Sequence, residues 1–146
     1  MKNILVALSC VAILGACGQD KAAVENAEKE VFAVHDEIMP QMSQLMEYKN
    51  GLSVEITKLD SLLKIKSNDS LQKRKDEALA ISTTLQEADK GMMDWMHDYR
   101  GDSLKALGSE EAIKAMSAEK TKINTVRDKM REGMDKAKTF LGKWTN

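Results

Sequence analysis

The 146-residue chain is poor in the residues that usually fix or break a fold: two cysteines, one proline, two histidines and 4% aromatics. Two cysteines exclude a disulfide framework of the kind that holds small secreted domains together. A single proline leaves room for long helices, because little else in the chain interrupts them. No charge of one sign prevails, with 22 basic against 23 acidic side chains. That balance gives no electrostatic basis for binding nucleic acid. Long hydrophobic runs are also lacking. Ile4 to Leu14 is the longest, short of the roughly 20 residues a membrane-spanning helix needs. There is no His-Glu-x-x-His, no glycine-rich phosphate loop and no Gly-x-Ser-x-Gly, so no catalytic residues and no enzyme are expected.

What is present begins at the N-terminus. Lys2 supplies a positive start, Ile4 to Leu14 the apolar stretch, and Gly15-Ala16 a small pair ahead of Cys17. This order has the three parts of a secretory signal. Leu14-Gly15-Ala16-Cys17 resembles a bacterial lipobox, which implies cleavage between Ala16 and Cys17 and fatty acylation of Cys17. The expected organisation is a cleaved lipoprotein signal peptide at 1–16, a lipidated cysteine with a short tether at 17–23, and a helical domain at 24–146. Cleavage removes Cys10 and Lys2, and the loss of that one positive charge takes the net charge from −1 to −2. With Cys17 acylated, no free thiol remains. Several acyl chains hold a protein firmly to a bilayer where one is marginal. The resemblance to lipoproteins implies a bacterial cell-envelope location. Gly18 stands where many inner-membrane lipoproteins carry aspartate, which favours the outer membrane.

The rest reads as all-α. Val24, Val31, Ile38, Leu45, Leu52 and Leu59 recur every seven residues, with His35, Met42, Ile56 and Leu63 between them. Leu71, Ala78, Ile81, Leu85, Ala88, Met92, Trp95 and Tyr99 form a second stripe; Ile113, Met116, Ile123, Val126, Met130, Met134, Ala137, Leu141 and Trp144 form a third. Three- and four-residue steps put each stripe on one helical face. The spacing predicts helices over about 24–66, 70–100 and 110–144. Ser67 to Ser70 and Gly101 to Gly108 separate them, with Asp69 or Ser70 and then Ser109 as expected N-caps. Short connections make neighbouring helices antiparallel, giving an up-down-up three-helix bundle. Pro40 cannot donate to the Asp36 carbonyl and is expected to kink the first helix; Gly51 is a second soft point.

A first turn centred near residue 68 puts Met42 level with Asp94 and Met39 level with His97. A second turn near residue 104 puts Met116 level with Met92. Met39, Met42, Met46, Met92, Met93, Met96 and Met116 then gather near the kink with both histidines. Thioether sulfur and imidazole together suit Cu(I). The candidate metal ligands are therefore Met39, Met42, Met92, Met93, Met96, His35 and His97. Methionine also fills irregular core space and lines adaptable binding surfaces, so packing or a partner-binding surface is the first expectation and Cu(I) the alternative. His35 can equally pair with Asp36 or Glu37. A haem held by one His and one Met stays open, whereas covalent haem attachment is excluded because Cys-x-x-Cys-His is missing.

Asp-Ser-Leu occurs three times, at 60–62, 69–71 and 102–104. It resembles an acceptor for bacterial O-glycosylation, and it equally suits helix starts. His35-Asp36-Glu37-Ile38-Met39-Pro40 and Gly91-Met92-Met93-Asp94-Trp95-Met96 look like paired motifs of small helical bacterial lipoproteins, a group often labelled viral A-type inclusion protein. That resemblance implies a helical lipoprotein and supplies no catalytic residues. The expected function is thus a membrane-anchored, extracytoplasmic helical lipoprotein with a binding or structural role. Its partners are the membrane, through the lipid, and another protein or a second copy. Apart from that lipid no cofactor is expected, Cu(I) being the alternative.

Overall fold

The computed structural model describes residues 16–142 and is all-helical over them. The elements are α1 (Ala16–Ile38), one 3-10 turn (Met39–Gln41), α2 (Met42–Ile65), α3 (Asp69–Asp98), α4 (Gly101–Lys105) and α5 (Ser109–Gly142). The signal segment up to Gly15 and the C-terminal Trp144 lie outside the described residues. No described helix is long and apolar enough to cross a membrane.

The seven-residue stripe holds without exception. Val24, Val31, Ile38, Leu45, Leu52 and Leu59 are all buried, although they span two helices and the turn between them. Ala78, Ile81, Leu85, Ala88, Met92 and Trp95 bury the matching face of α3, and Ala112, Met116, Ile123, Met130, Met134, Ala137 and Phe140 that of α5. Each large side chain withdrawn from water stabilises the fold by about 1.5–3 kcal/mol. Three residues depart from the third stripe: Ile113 is 38% exposed, while Ala112 and Phe140, outside the stripe, are 0% and 1% exposed. Ile113 lies in the first turns of α5, beyond the level at which α3 ends, and lines an open groove with Ala23, Asn26 and Ala27 of α1. Phe140 is covered because the Arg74 guanidinium sits 4.3 Å over its ring.

Charged pairs between helices give the pairing directions. Lys49 meets Asp89 at 2.6 Å and Asp60 meets Lys75 at 2.5 Å, so α3 runs back along α2. Glu87 meets Lys129 at 2.7 Å and Trp95 meets Glu119 at 3.1 Å, so α5 runs back along α3. Glu30 meets Lys120, and Glu37 meets Arg127 and Arg131, which makes α1 and α5 parallel. Solvent-exposed pairs of this kind contribute little to stability, ~0–1 kcal/mol each. Most of the binding energy between helices is apolar, and the charges fix register.

The helix starts fall one residue earlier than the sequence spacing predicts. Asn68, rather than Asp69 or Ser70, caps α3: its side-chain oxygen accepts from the amides of Ser70 (2.8 Å) and Leu71 (3.2 Å). At α5 the carbonyl of Gly108 accepts from Ala112 at 2.8 Å, leaving Ser109 as the first helical residue. Residues 18–23, expected as a tether, are the first turns of α1. Gln19, Asp20, Lys21, Ala22 and Ala23 follow Gly18 there, and none of them breaks a helix. Gly51 is no break either, since α2 runs straight through it. A Cβ there would stand 2.9 Å from Leu141 Cδ1, so the missing side chain lets α5 approach.

Candidate functional site

Pro40 organises the region where the candidate residues were expected. Its ring nitrogen has no hydrogen to give, and the chain tightens into the 3-10 turn Met39–Gln41, closed by the Met42 amide donating to the Met39 carbonyl. The Gln41 side-chain amide donates to the Glu37 carbonyl at 3.1 Å, satisfying a group that the altered backbone would leave to water. In a 3-10 turn residues i and i+3 eclipse, so Met39 and Met42 project to the same side.

Those two methionines meet α3 in register. Eighteen residues of α-helix make five whole turns. Met42 therefore repeats the position of Asp60 on α2, and Met93 repeats that of Lys75 on α3. Because Asp60 and Lys75 are bonded across the α2–α3 seam, Met42 and Met93 face one another along that seam, with the Lys49–Asp89 pair between. Met96 lies two turns beyond Asp89 on the same flank of α3. Met39, Met42 and Met96 are half-buried against the core, and Met93 is 56% exposed. Met46, one turn after Met42, is 43% exposed.

The remaining candidates go elsewhere. Met92 is fully buried on the core side of α3, a helical step of about 100° from Met93. Met116 is not level with Met92: Val126 lies against Gly91, where a Cβ would stand 3.2 Å from its Cγ2, and Met116 Sδ lies 3.5 Å from the Tyr99 hydroxyl. The error comes from α4, which carries the chain outward before α5 begins, so α5 enters two turns later than a symmetric connection allows. His97 is exposed on the last turn of α3, and its carbonyl accepts from Arg100. His35 Nδ1 lies 2.9 Å from Asp36 Oδ1, which is the plain pairing its sequence neighbours offered. The two histidines are not brought together. Among the described residues no three His, Cys, Asp or Glu side chains converge as a metal site.

One constellation escapes the periodicity reading. The His35 ring lies 5.6 Å from Trp95 and 6.1 Å from Phe32, and Tyr99 lies 5.3 Å from Phe32 and 5.1 Å from Trp95. Half of the chain's six Phe, Trp and Tyr residues thus pack in one patch between α1 and α3. Their polar ends are satisfied by carboxylates. The Trp95 indole donates to Glu119 at 3.1 Å, and the Tyr99 hydroxyl donates to Glu28 at 3.3 Å. Burial first, and then the negative charge of Glu28, push the Tyr99 phenol up to about 12. Glu28 also binds Lys105 of α4 at 3.0 Å, and that hydrogen bond holds the ammonium above its usual range. The signal in the sequence was the spacing: Phe32 and His35 are three apart, Trp95 and Tyr99 four apart, each pair on one helical face.

A separate open groove of about 480 Å³ runs between α3 and α5, lined by Glu77, Ala80, Ile81, Thr84, Asp135 and Thr139. It shares no residue with the methionine seam or the aromatic patch. Comparison with known proteins adds no relative: no protein family, curated protein or solved structure matches the chain.

Proposed function

We propose that this chain is a bacterial lipoprotein, of the small helical kind its two paired motifs resemble, that acts by binding rather than by catalysis. It is held to the cell envelope by acyl chains on Cys17 and presents an up-down-up antiparallel three-helix bundle, with α1 and α2 as one kinked arm, α3 as the second and α5 as the third. The single observation that carries this reading is Leu14-Gly15-Ala16-Cys17 at the end of a short apolar segment. Further support comes from the described helices, none of which could cross a membrane, and from a near-neutral charge balance that suits a protein or apolar partner. The outer membrane is the favoured address, because Gly18 follows the cysteine. Its partner is another protein or a second copy.

Metabolic labelling with an alkynyl fatty acid in a bacterial host, followed by membrane fractionation, tests the anchor. The full chain takes up label and sediments with membranes, whereas Cys17→Ser stays unlabelled and uncleaved. Label retained by Cys17→Ser, or none on the unaltered chain, overturns the reading.

A further inference from the structure

We propose that Met39, Met42, Met93 and Met96 form a thioether site for a soft monovalent cation, Cu(I) or Ag(I), on the α2–α3 seam. The proposal rests on register and exposure, independently of the lipid anchor. The 3-10 turn at Pro40 stacks Met39 and Met42 on one side of the chain, since its 3-residue repeat eclipses them. On α3, Met93 and Met96 are three apart and project from the flank that carries Lys75 and Asp89. Both of those residues are bonded to the α2 arm, at Asp60 and Lys49. The antiparallel register then sets Met42 level with Met93 and Met39 level with Met96, two donors facing two.

Four uncharged sulfurs select for softness. Thioethers bind Cu(I) and its congeners and compete poorly with water for Mg²⁺, Ca²⁺ or Zn²⁺. The harder donors are committed elsewhere: Lys49 pairs with Asp89, Lys90 with Asp94, and His35 with Asp36. Partial exposure provides an entry path, because Met93 is more than half exposed while its three companions rest against the core. Met92, Met116 and Met130 are fully buried and take no part. The ligand set inferred from sequence thus loses Met92, His35 and His97.

The test is a competition between the full chain, in detergent and without oxygen, and bathocuproine disulfonate for Cu(I). One equivalent of Cu(I) passes to the protein. The pair Met93→Leu/Met96→Leu weakens binding at least tenfold, and Met130→Leu leaves it unchanged. Leucine conserves volume and keeps these variants folded, which circular dichroism verifies. A second measurement needs no variant: with methyl-labelled methionine, Ag(I) shifts the methyl resonances of Met39, Met42, Met93 and Met96 and not that of Met130. Failure to take Cu(I) from the competitor, equal loss in Met130→Leu, or Ag(I) shifts spread over all methionines overturns the site. Because neither readout depends on Cys17, failure here leaves the lipoprotein reading standing, and the converse holds too.

Discussion

Trp95 and Glu119 are joined across the α3–α5 seam by a hydrogen bond of 3.1 Å from the indole nitrogen to a carboxylate oxygen. The indole is 7% exposed, so its N–H has little access to water and depends on this acceptor. Glu119 is held in turn by Lys122 at 2.7 Å.

Replacing Glu119 by leucine leaves that donor unsatisfied and is expected to cost about 1–3 kcal/mol. Glu119→Gln keeps an acceptor and should lose less than half as much. Urea unfolding of the two variants, followed by Trp95 fluorescence in a Trp144→Phe background, measures the difference. Equal stability of Glu119→Leu and the parent would show that the indole finds water.

Tyr99 gives a pH dependence with a defined sign. Its folded pKa of about 12 lies above the roughly 10 of an unfolded chain, so folding favours the neutral phenol. The resulting stabilisation is fully present below about pH 10 and disappears as pH rises from there through about 12. The stability gap between the parent and Tyr99→Phe should be constant below that window and shrink within it. Phenolate absorbance in a Tyr48→Phe background should place the transition well above that of a free tyrosine. Glu28→Gln should bring it down, since the Glu28 charge is the largest cause after burial.

Met92 and Met93 are adjacent in sequence and opposite in environment. Met92→Ala opens a cavity in a site with no solvent exposure and is expected to cost about 2–5 kcal/mol. Met93→Ala trims a side chain that is 56% exposed and should change stability by less than about 0.5 kcal/mol. Thermal unfolding of the two variants checks the contrast. Similar losses at both positions would mean that α3 is rotated about its axis from the orientation described.

Much of the fold could be read from spacing, because helical burial is a local property. Val24 to Leu59 keep one period across the proline, and every member is buried. Met42 and Met93 also came out close to level, since a tight turn at Asn68 leaves little freedom in how α3 returns along α2. The second connection was different. Gly101 to Gly108 has composition for a loop, yet residues 101–105 form a short helix whose advance no periodicity reports. Met116 was displaced as a result, and its partner became Tyr99. The aromatic patch was missed for the same reason, because it depends on which face of α1 meets α3. The two helix caps lay in the correct turns, one residue ahead of the expected positions, where Asn68 competes successfully with Asp69 and Ser70.

The first arm changes partner at the Pro40 turn. Before it, Glu30 and Glu37 tie α1 to α5; after it, Lys49, Glu55 and Asp60 tie α2 to α3. In mechanical terms this separates two loads. A pull on the start of α1 acts lengthwise along two parallel helices, so the α1–α5 seam resists in shear, with many contacts sharing the force at once. The pairing of α2 with α3 lies on the far side of the turn, and force reaches it through α5 and through the aromatic patch that joins Phe32 and His35 to Tyr99 and Trp95. The methionine seam, which begins at that turn, therefore meets a pull from the N-terminal side only after the α1–α5 seam has taken its share.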